Sequence, residues 1–515
     1  MSELFDRIMA DYKQPLGTPI TAACMHFPRC KIDSTQDFKN LAYRVYNTIY
    51  NSDVSETSSA IDKGKARSAY NMLIKHLRTR YATQGVKPAP KTCVYTIHHR
   101  ARKSHQAYQD AKSLPFSMQV LNPMPMPVDI SSLDELVDFF RRIEHESHAT
   151  PDHTTKEGTF EDFQRGAYYT DGRIDLCKQV VGPTHINNLM TSFKNNSHIR
   201  HFLLGNNIIG SVGADAIAAF LADKSRRSHI STWYLAGNCI DATGIAKIAR
   251  ELAHDTHCVD LWLKRNPIRE DGAKALATML ETNTSIVTLD LDNTAIMDEG
   301  CEVLFNSLAH NTTLQNLYIS AAGLTARSAA AIAAYIRDKA SRQSPGIRRL
   351  SIGVNRLGDE GAALICDALR ETGYPMKALT LSSNRIELDG LRSILAYASE
   401  SKSLDVLDIG YYKSTADIGE LPNYFGPEGT KLIADFIKLD TPLQVLSLFT
   451  CFVDKDILLD AAGYNSRMIK LQIEYAPNVC RDNFAGNDDA YEAHVRGLKH
   501  GPNIWVIDSI YRNNM

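Results

Sequence analysis

The chain has 515 residues, which is long enough for two or more domains. Its hydrophobic content of 44%, charged content of 23% and formal net charge of −2 are ordinary for a globular protein and argue against one directed wholly at nucleic acid. No run of 18 apolar residues occurs and the N-terminus is polar, so we predict no membrane span, no secretory leader and a cytoplasmic location.

Residues 1–165 show helical periodicity, which predicts a mainly helical N-terminal domain of unknown type. Two amphipathic stretches are Asp37–Tyr50 and Lys65–Tyr81. A third follows Ser131, and its apolar face is formed by Leu133, Leu136, Val137, Phe140 and Ile143.

The segment Lys63–Lys112 is strongly basic, with twelve Lys and Arg residues and a single acid. Such a segment could contact nucleic-acid phosphates or an acidic partner surface. The nucleic-acid alternative assigns the contacts to Arg78, Arg80, Arg100, Arg102 and Lys103. Because the rest of the chain carries a net charge of −13 (−2 minus +11), an intramolecular contact is an equal alternative.

Motifs for catalysis or metal binding find little support. Cys24, Cys30, Cys93 and His98 do not have the spacing of a compact structural zinc site, so we predict no metal and no cofactor. The sequence contains no Gly-x-x-x-x-Gly-Lys-Ser/Thr phosphate loop, no His-Glu-x-x-His and no Gly-x-Ser-x-Gly. We therefore expect a protein that is not an enzyme, although an activity in the N-terminal domain stays open.

A Leu-x-Leu-x-x-Asn-x-Leu signature recurs through residues 166–500 at close to 28 residues per step, as in LWLKRNPI and LTLSSNRI. Such a period predicts a solenoid, here of about eleven units that each pair a short strand with a helix. The Asn side chain can bond the backbone of the turn after the strand. This position is occupied in order by Gln179, Asn207, Asn238, Asn266, Thr294, Ala322, Asn355, Asn384, Tyr412, Cys451 and Ala476.

One step, between Tyr412 and Cys451, is lengthened to 39 residues by an insertion at Tyr411–Phe425. An insertion in a solenoid is a loop that leaves one face, and that face is often the binding face. A tolerated surface insertion is the alternative.

The units resemble the ribonuclease-inhibitor-like class of leucine-rich repeats, whose helices often open with Gly-x-x-Gly-Ala, as at Gly210–Ala214. The resemblance covers roughly residues 170–500. It implies an α/β right-handed horseshoe with parallel strands on the concave side and helices outside. Residues 501–515 are then a C-terminal cap.

The resemblance leaves the function open, since this class includes inhibitors, sensors, scaffolds and GTPase activators. Arg265 and Arg269 lie in a loop like the one that carries an arginine in Ran-activating proteins, but their surroundings are ordinary repeat consensus. A GTPase-activating-type regulator or a host-directed effector is thus an alternative function.

The outward strand positions predict where a partner would bind. Tyr234, Trp262 and Tyr318 fall within four consecutive strands, with Asp290 among them, so they should cluster on the concave face. The next outward positions add Lys264, Asp292 and, later, Phe449. Exposed aromatic rings beside charges are typical of protein interfaces, so we predict a non-catalytic module that binds a protein partner here. The alternative is that these rings cover one another or a neighbouring loop.

Overall fold

The computed structural model describes residues 104–112, 133–143, 153–155, 158–179, 181–412, 420–474 and 488–507. Within them lies one open sheet of fourteen strands whose spatial order is the chain order. Strands β1 to β4 are joined by antiparallel pairing, and every pair from β4 to β14 is parallel. The predicted α/β repeat solenoid is confirmed.

The strands are short. Their bounds are β1 His153–Thr155, β2 Gly158–Asp162, β3 Ala167–Tyr169, β4 Arg173–Asp175, β5 His201–Leu203, β6 Thr232–Tyr234, β7 Asp260–Trp262, β8 Thr288–Asp290, β9 Asn316–Tyr318, β10 Arg349–Ser351, β11 Ala378–Thr380, β12 Val406–Asp408, β13 Val445–Ser447 and β14 Lys470–Gln472.

From β4 onward helices alternate with the strands, and consecutive helices between these strands pack on one another. Their bounds are α1 His105–Lys112, α2 Asp134–Ile143, α3 Gly182–Ser192, α4 Gly210–Ala222, α5 Ala242–Leu252, α6 Arg269–Thr282, α7 Met297–Leu308, α8 Ala326–Ser341, α9 Gly358–Thr372, α10 Leu388–Glu400, α11 Gly426–Ile437, α12 Lys455–Ala462 and α13 Asp488–His500, followed by a 3-10 helix, Pro502–Ile507.

Eleven parallel strands, β4 to β14, match the eleven predicted units. The middle residue of each points toward the helices, as Trp233 and Leu261 do, and is buried in the main core. The first and last residues of each strand point to the opposite side, which we call the concave face. The register pairs Tyr234 with Trp262, Trp262 with Asp290 and Asp290 with Tyr318, so the predicted outward row is confirmed.

Buried asparagine side chains connect adjacent units by hydrogen bonds to the backbone, and we call this series of bonds the ladder. The Asn266 side chain accepts from the backbone N–H of Asn238 and Ile240 at 3.0 Å each. It donates to the carbonyls of Leu235 and Leu263 at 2.9 and 2.7 Å. These four bonds satisfy buried backbone groups that no regular strand or helix pairs.

The loop that carries this asparagine has a strained backbone. The residue before the asparagine is left-handed in several units, with φ of 57° at Asn206, 59° at Arg265 and 57° at Val354. This conformation costs a residue with a side chain about 1 kcal/mol. The ladder of side-chain bonds offsets that cost and fixes the turn.

The two consecutive units that lack the asparagine make other hydrogen bonds at this position. The Thr294 hydroxyl donates to the carbonyl of Leu291 at 2.5 Å. Ala322 makes no side-chain bond, but its N–H donates to the Asn355 side chain of the next unit at 3.0 Å.

The prediction that Tyr412 occupies the ladder position is wrong, because Asn423 does so. The Asn423 side chain accepts from the N–H of Asn384 and Ile386 at 2.9 and 3.0 Å and donates to the carbonyl of Ile409 at 2.7 Å. The inserted residues therefore lie between the strand and its ladder asparagine.

Ion pairs hold the end of the inserted loop in place. The Glu420 carboxylate, 3% exposed, pairs with Arg356 at 2.5 Å and with Arg385 at 3.0 Å. Both arginines belong to loops that leave neighbouring strands, so the end of the insertion is held against the solenoid.

The sheet continues across the predicted domain boundary at residues 165 and 166. Strands β1 to β3 extend the sheet at its N-terminal end. Helix α2 contributes Leu136, Phe139 and Phe140 to the core of the solenoid. The third amphipathic stretch is thus a helix and covers the first unit, whereas Asp37–Tyr50 and Lys65–Tyr81 lie outside the described residues.

Candidate functional site

The concave face carries two apolar tracks that are separate from the main core. The aromatic track consists of Leu203, Tyr234, Trp262 and Tyr318, the last residues of β5, β6, β7 and β9. The aliphatic track consists of Ala378, Val406 and Val445, the first residues of β11, β12 and β13, and of Ile469, which directly precedes β14. Since the solenoid core lies on the other side of the sheet, these side chains need another partner for burial.

The end of the chain provides that partner. The C-terminal segment, Asp488–Ile507, runs back over the concave face. Helix α13 packs Tyr491 and Val495 onto the aliphatic track, with Leu498 beside them. The 3-10 helix packs Ile504, Val506 and Ile507 onto the aromatic track. Gly501, with φ of 89°, makes the turn between the two helices.

Polar contacts fix the position of this segment. Lys499 pairs with Asp408 at 2.6 Å. The Arg349 guanidinium donates to the carbonyl of Leu498 at 2.9 Å.

Further polar contacts hold the end of helix α13 and the 3-10 helix. The Tyr318 hydroxyl donates to the carbonyl of His500 at 3.2 Å, and their rings stack with centroids 5.5 Å apart. The Asn503 amide donates to Asp260 at 3.2 Å.

The structure brings three predicted aromatic residues together but covers them. Trp262 and Tyr318 stack with centroids 5.5 Å apart, and Tyr234 lies 6.3 Å from Trp262. Tyr234 is 2% exposed, and Trp262 and Tyr318 are each 5% exposed. The expectation that these rings are exposed is wrong, because the C-terminal segment lies on them. That they bind a partner protein stays a prediction.

The predicted charged residues form one group beside these rings. Lys264 Nζ lies 3.9 Å from a carboxylate oxygen of Asp290 and 5.5 Å from the centre of the Tyr234 ring. Burial raises the pKa of Asp290, and Lys264 opposes this. Burial and the neighbouring Asp290 raise the pKa of Asp292 to about 8. One cation therefore faces two carboxyl groups.

Replacing Asp292 with asparagine should remove a pH dependence of stability. An unfolded aspartate loses its proton near its usual pKa of 3.8, whereas folded Asp292 keeps it up to about pH 8. Stability therefore falls as the pH rises through this interval, by at most ~1.4 kcal/mol per pH unit. We expect thermal melting at pH 5 to 8 to show a shallower decline for Asp292→Asn than for wild type.

The asparagine keeps the acceptor for the Ser320 N–H, which lies 2.6 Å from Asp292. The matched control is Asp271→Asn, because the Asp271 side chain is 83% exposed. Equal pH slopes for wild type and Asp292→Asn would contradict the raised pKa.

Phe449 is not part of this cluster. It follows β13, four strands beyond Tyr318, and packs edge-on against Tyr411 with centroids 5.8 Å apart. Arg265 is exposed in the loop between β7 and α6, and Arg269 is exposed at the first residue of α6.

The described end of the basic segment, helix α1, makes the intramolecular contact that was one of its alternatives. Lys112 pairs with Glu387 at 2.5 Å, and Gln109 and His105 bond the same carboxylate at 2.6 and 2.9 Å. Tyr108 is buried and donates to the carbonyl of Pro422 at 2.7 Å. Arg78, Arg80, Arg100, Arg102 and Lys103 lie outside the described residues, so the nucleic-acid alternative stays a prediction.

Glu387→Gln should release helix α1. Burial alone would raise the pKa of Glu387, but bonds from Lys112 and His105 outweigh it and lower the pKa. The ionised carboxylate therefore holds the helix. We expect backbone hydrogen exchange across residues 105–112 to accelerate about tenfold, equivalent to ~1.4 kcal/mol. The control is Glu371→Gln, at an exposed ion pair with Arg337; unchanged exchange in Glu387→Gln would contradict this role.

The sequence analysis did not predict that the C-terminal segment covers the concave face. The available signal was the spacing of Tyr491, Val495 and Leu498, which marks an amphipathic helix with no repeat strand after it. Residues 501–507 of the predicted C-terminal cap lie on the concave face.

Among the residues that the structure describes, no cluster of three or more His, Cys, Asp or Glu side chains is arranged to hold a metal ion. No helix in the same residues is both long and apolar enough to cross a membrane.

Comparison with known proteins agrees with the repeat architecture. The family model described as "Leucine Rich repeat" matches residues 282–305, which span the end of α6, β8 and most of α7. With the eleven stacked strands, this decides the fold. The chain folds as a leucine-rich repeat solenoid. The finer ribonuclease-inhibitor-like class stays a prediction.

Two solved structures are similar to parts of this chain. Leiomodin-1 actin-binding site 2 is 17% identical and covers 33% of this chain and 76% of its own, with a TM-score of 0.22. The Rad7 and Elc1 complex of yeast is 12% identical and covers 78% of this chain and 96% of its own, with a TM-score of 0.32. Likeness at this level gives no guide to function. No curated protein sequence matches the chain.

Proposed function

We propose that this leucine-rich repeat chain is a non-catalytic protein-interaction module, and that its protein partner binds the concave face in place of the C-terminal segment. The observation that supports the proposal is the pair of apolar tracks. They lie outside the core of the solenoid, and the C-terminal segment packs on both of them. A surface that buries one polypeptide segment through side chains of this kind has the composition of a protein-binding site.

The test uses full-length protein in which the C-terminal segment is released. The double variant Val495→Asp, Ile504→Asp places one carboxylate against the aliphatic track and one against the aromatic track. Burial of an unpaired charge is strongly unfavourable, so the segment should leave the face. Release exposes Trp262, so its fluorescence should become accessible to acrylamide. Because Trp505 is already 46% exposed, the measurement is made in a Trp505→Phe background.

Partner capture then compares three full-length proteins by cross-linking and mass spectrometry: wild type, the release variant, and the release variant with Tyr234→Ala and Trp262→Ala. A partner enriched by release and lost with the two aromatic rings would support the proposal. The matched control for added aspartates is Ile457→Asp with Tyr464→Asp, at two exposed apolar positions. A set of bound proteins that is the same for all variants would overturn the concave-face assignment.

A further inference from the structure

The C-terminal segment shows what kind of polypeptide the concave face accepts. Tyr491, Val495 and Leu498 are spaced i, i+4 and i+7, which places them on one face of helix α13. Tyr491 and Val495 are 3% and 6% exposed against the aliphatic track. Lys499, at i+8, reaches Asp408. An apolar stripe that ends in a cation is therefore the pattern that this surface fits.

Two of the remaining contacts do not depend on the sequence of the bound helix. Arg349 and Tyr318 donate to the carbonyls of Leu498 and His500, in the last turn of helix α13. The last four carbonyls of any helix lack partners within the helix. The positive charge of Arg349 is also favourable at this end of the helix dipole. The face thus provides a docking point for the C-terminal end of a helix as such.

The intramolecular contact buries two ionisable side chains, His500 of the segment and Asp260 of the concave face. Burial and neighbouring cations lower the pKa of His500 well below its usual value. Burial raises the pKa of Asp260, whose second oxygen finds no hydrogen-bond partner among the described residues. Burial of these two groups opposes the apolar contacts, so a competing helix can displace the segment without an exceptionally high affinity.

Building on the proposed function, we propose that the concave face recognises an amphipathic α-helix of a partner protein with apolar side chains at i, i+4 and i+7 and a lysine or arginine at i+8. The C-terminal end of that helix lies at Arg349 and Tyr318. The C-terminal segment is the intramolecular competitor of the partner. The seated segment itself and the charge complementarity at Asp408 select this occupant.

The experiment measures binding of fluorescent synthetic helices to full-length protein by anisotropy. The pattern helix has an alanine and glutamine background that carries only Tyr, Val, Leu and Lys at the four positions. We expect it to bind the Val495→Asp, Ile504→Asp release variant at least tenfold more tightly than wild type, because the segment no longer competes. A helix of the same composition in shuffled order should bind the release variant at least tenfold more weakly.

The charge contact has its own test. Exchange of the lysine for glutamine in the pattern helix should weaken binding to the release variant about fivefold. The same exchange should have no effect when the release variant also carries Asp408→Asn, which retains an acceptor for the Gly410 N–H at 3.2 Å. An equal loss on both proteins would overturn the assignment of the cation to Asp408.

The outcomes separate this inference from the proposed function. Suppose the pattern helix binds no better than its shuffled control, while cross-linking still finds a partner that requires Tyr234 and Trp262. The partner class is then wrong and the binding face stands. If neither a helix nor a partner depends on the face, both proposals fail. Concentration-dependent dimers of wild type, joined by exchanged C-terminal segments, would make a second copy the occupant and overturn the inference.

Discussion

Replacing Asn266 with alanine is expected to lower the free energy of unfolding by about 4 kcal/mol. The side chain is completely buried and makes four hydrogen bonds to the backbone of its own unit and the preceding one. Alanine leaves two N–H groups and two carbonyls without these partners. An unsatisfied buried group costs about 1 to 3 kcal/mol, and partial relaxation of the loop reduces the sum.

Urea unfolding followed by circular dichroism measures this change, with hydrogen exchange used to locate it. Because each unit contacts only its neighbours, we expect the fastest exchange in the units around β6 and β7. The matched control is Asn188→Ala on the exposed side of α3, which should change stability by less than about 0.5 kcal/mol. A loss for Asn266→Ala as small as that of the control would mean that the ladder bonds are dispensable.

Glu420→Gln is expected to destabilise the protein by about 3 kcal/mol. The carboxylate is buried between Arg356 and Arg385, so its removal leaves two largely buried guanidinium groups without their counter-charge. Breaking a buried ion pair by removing one partner costs about 3 to 5 kcal/mol, and the retained shape and hydrogen-bonding capacity of glutamine put this change at the lower end. The effect should extend to helix α1, because Arg385 also donates to the carbonyl of Lys112 at 3.0 Å.

The measurement is again chemical unfolding, together with hydrogen exchange in helix α1 as a local readout. Glu428→Gln is the control, since Glu428 pairs with Arg392 on the exposed surface, where both side chains are about half exposed or more. An exposed pair of this kind contributes ~0 to 1 kcal/mol. Equal effects of the two substitutions would show that Glu420 contributes no more than a surface charge.

The C-terminal segment changes how the affinity of the concave face should be measured. A partner that competes with an intramolecular occupant binds with an apparent affinity reduced by the fraction of molecules in which the face is open. Experiments on wild type therefore underestimate the intrinsic affinity, and the release variant gives the closer value. Any modification of Lys499 or of Asp408 would shift the same balance, because these two side chains form one of its ion pairs.

The sequence by itself determined the repeat, the unit count and the identity of the outward row. A period near 28 residues forces each strand to pair with its neighbours in chain order, and alternation then assigns Tyr234, Trp262, Asp290 and Tyr318 to the same side. These predictions rest on local patterns that every unit repeats, so an error in one unit is corrected by the others. The apolar face of helix α2 was predictable for the same reason.

Only the tertiary structure decided which residue occupies the ladder position in the unit with the insertion, and what lies on the concave face. Asn423 replaces Tyr412 because a ladder contact depends on where the inserted loop returns, and a sequence count cannot follow that path. The covering of Tyr318 by His500 joins residues 182 positions apart. No periodicity links two such segments. Their contact arises because the solenoid leaves its concave side chains without a core, and the amphipathic end of the chain can bury them.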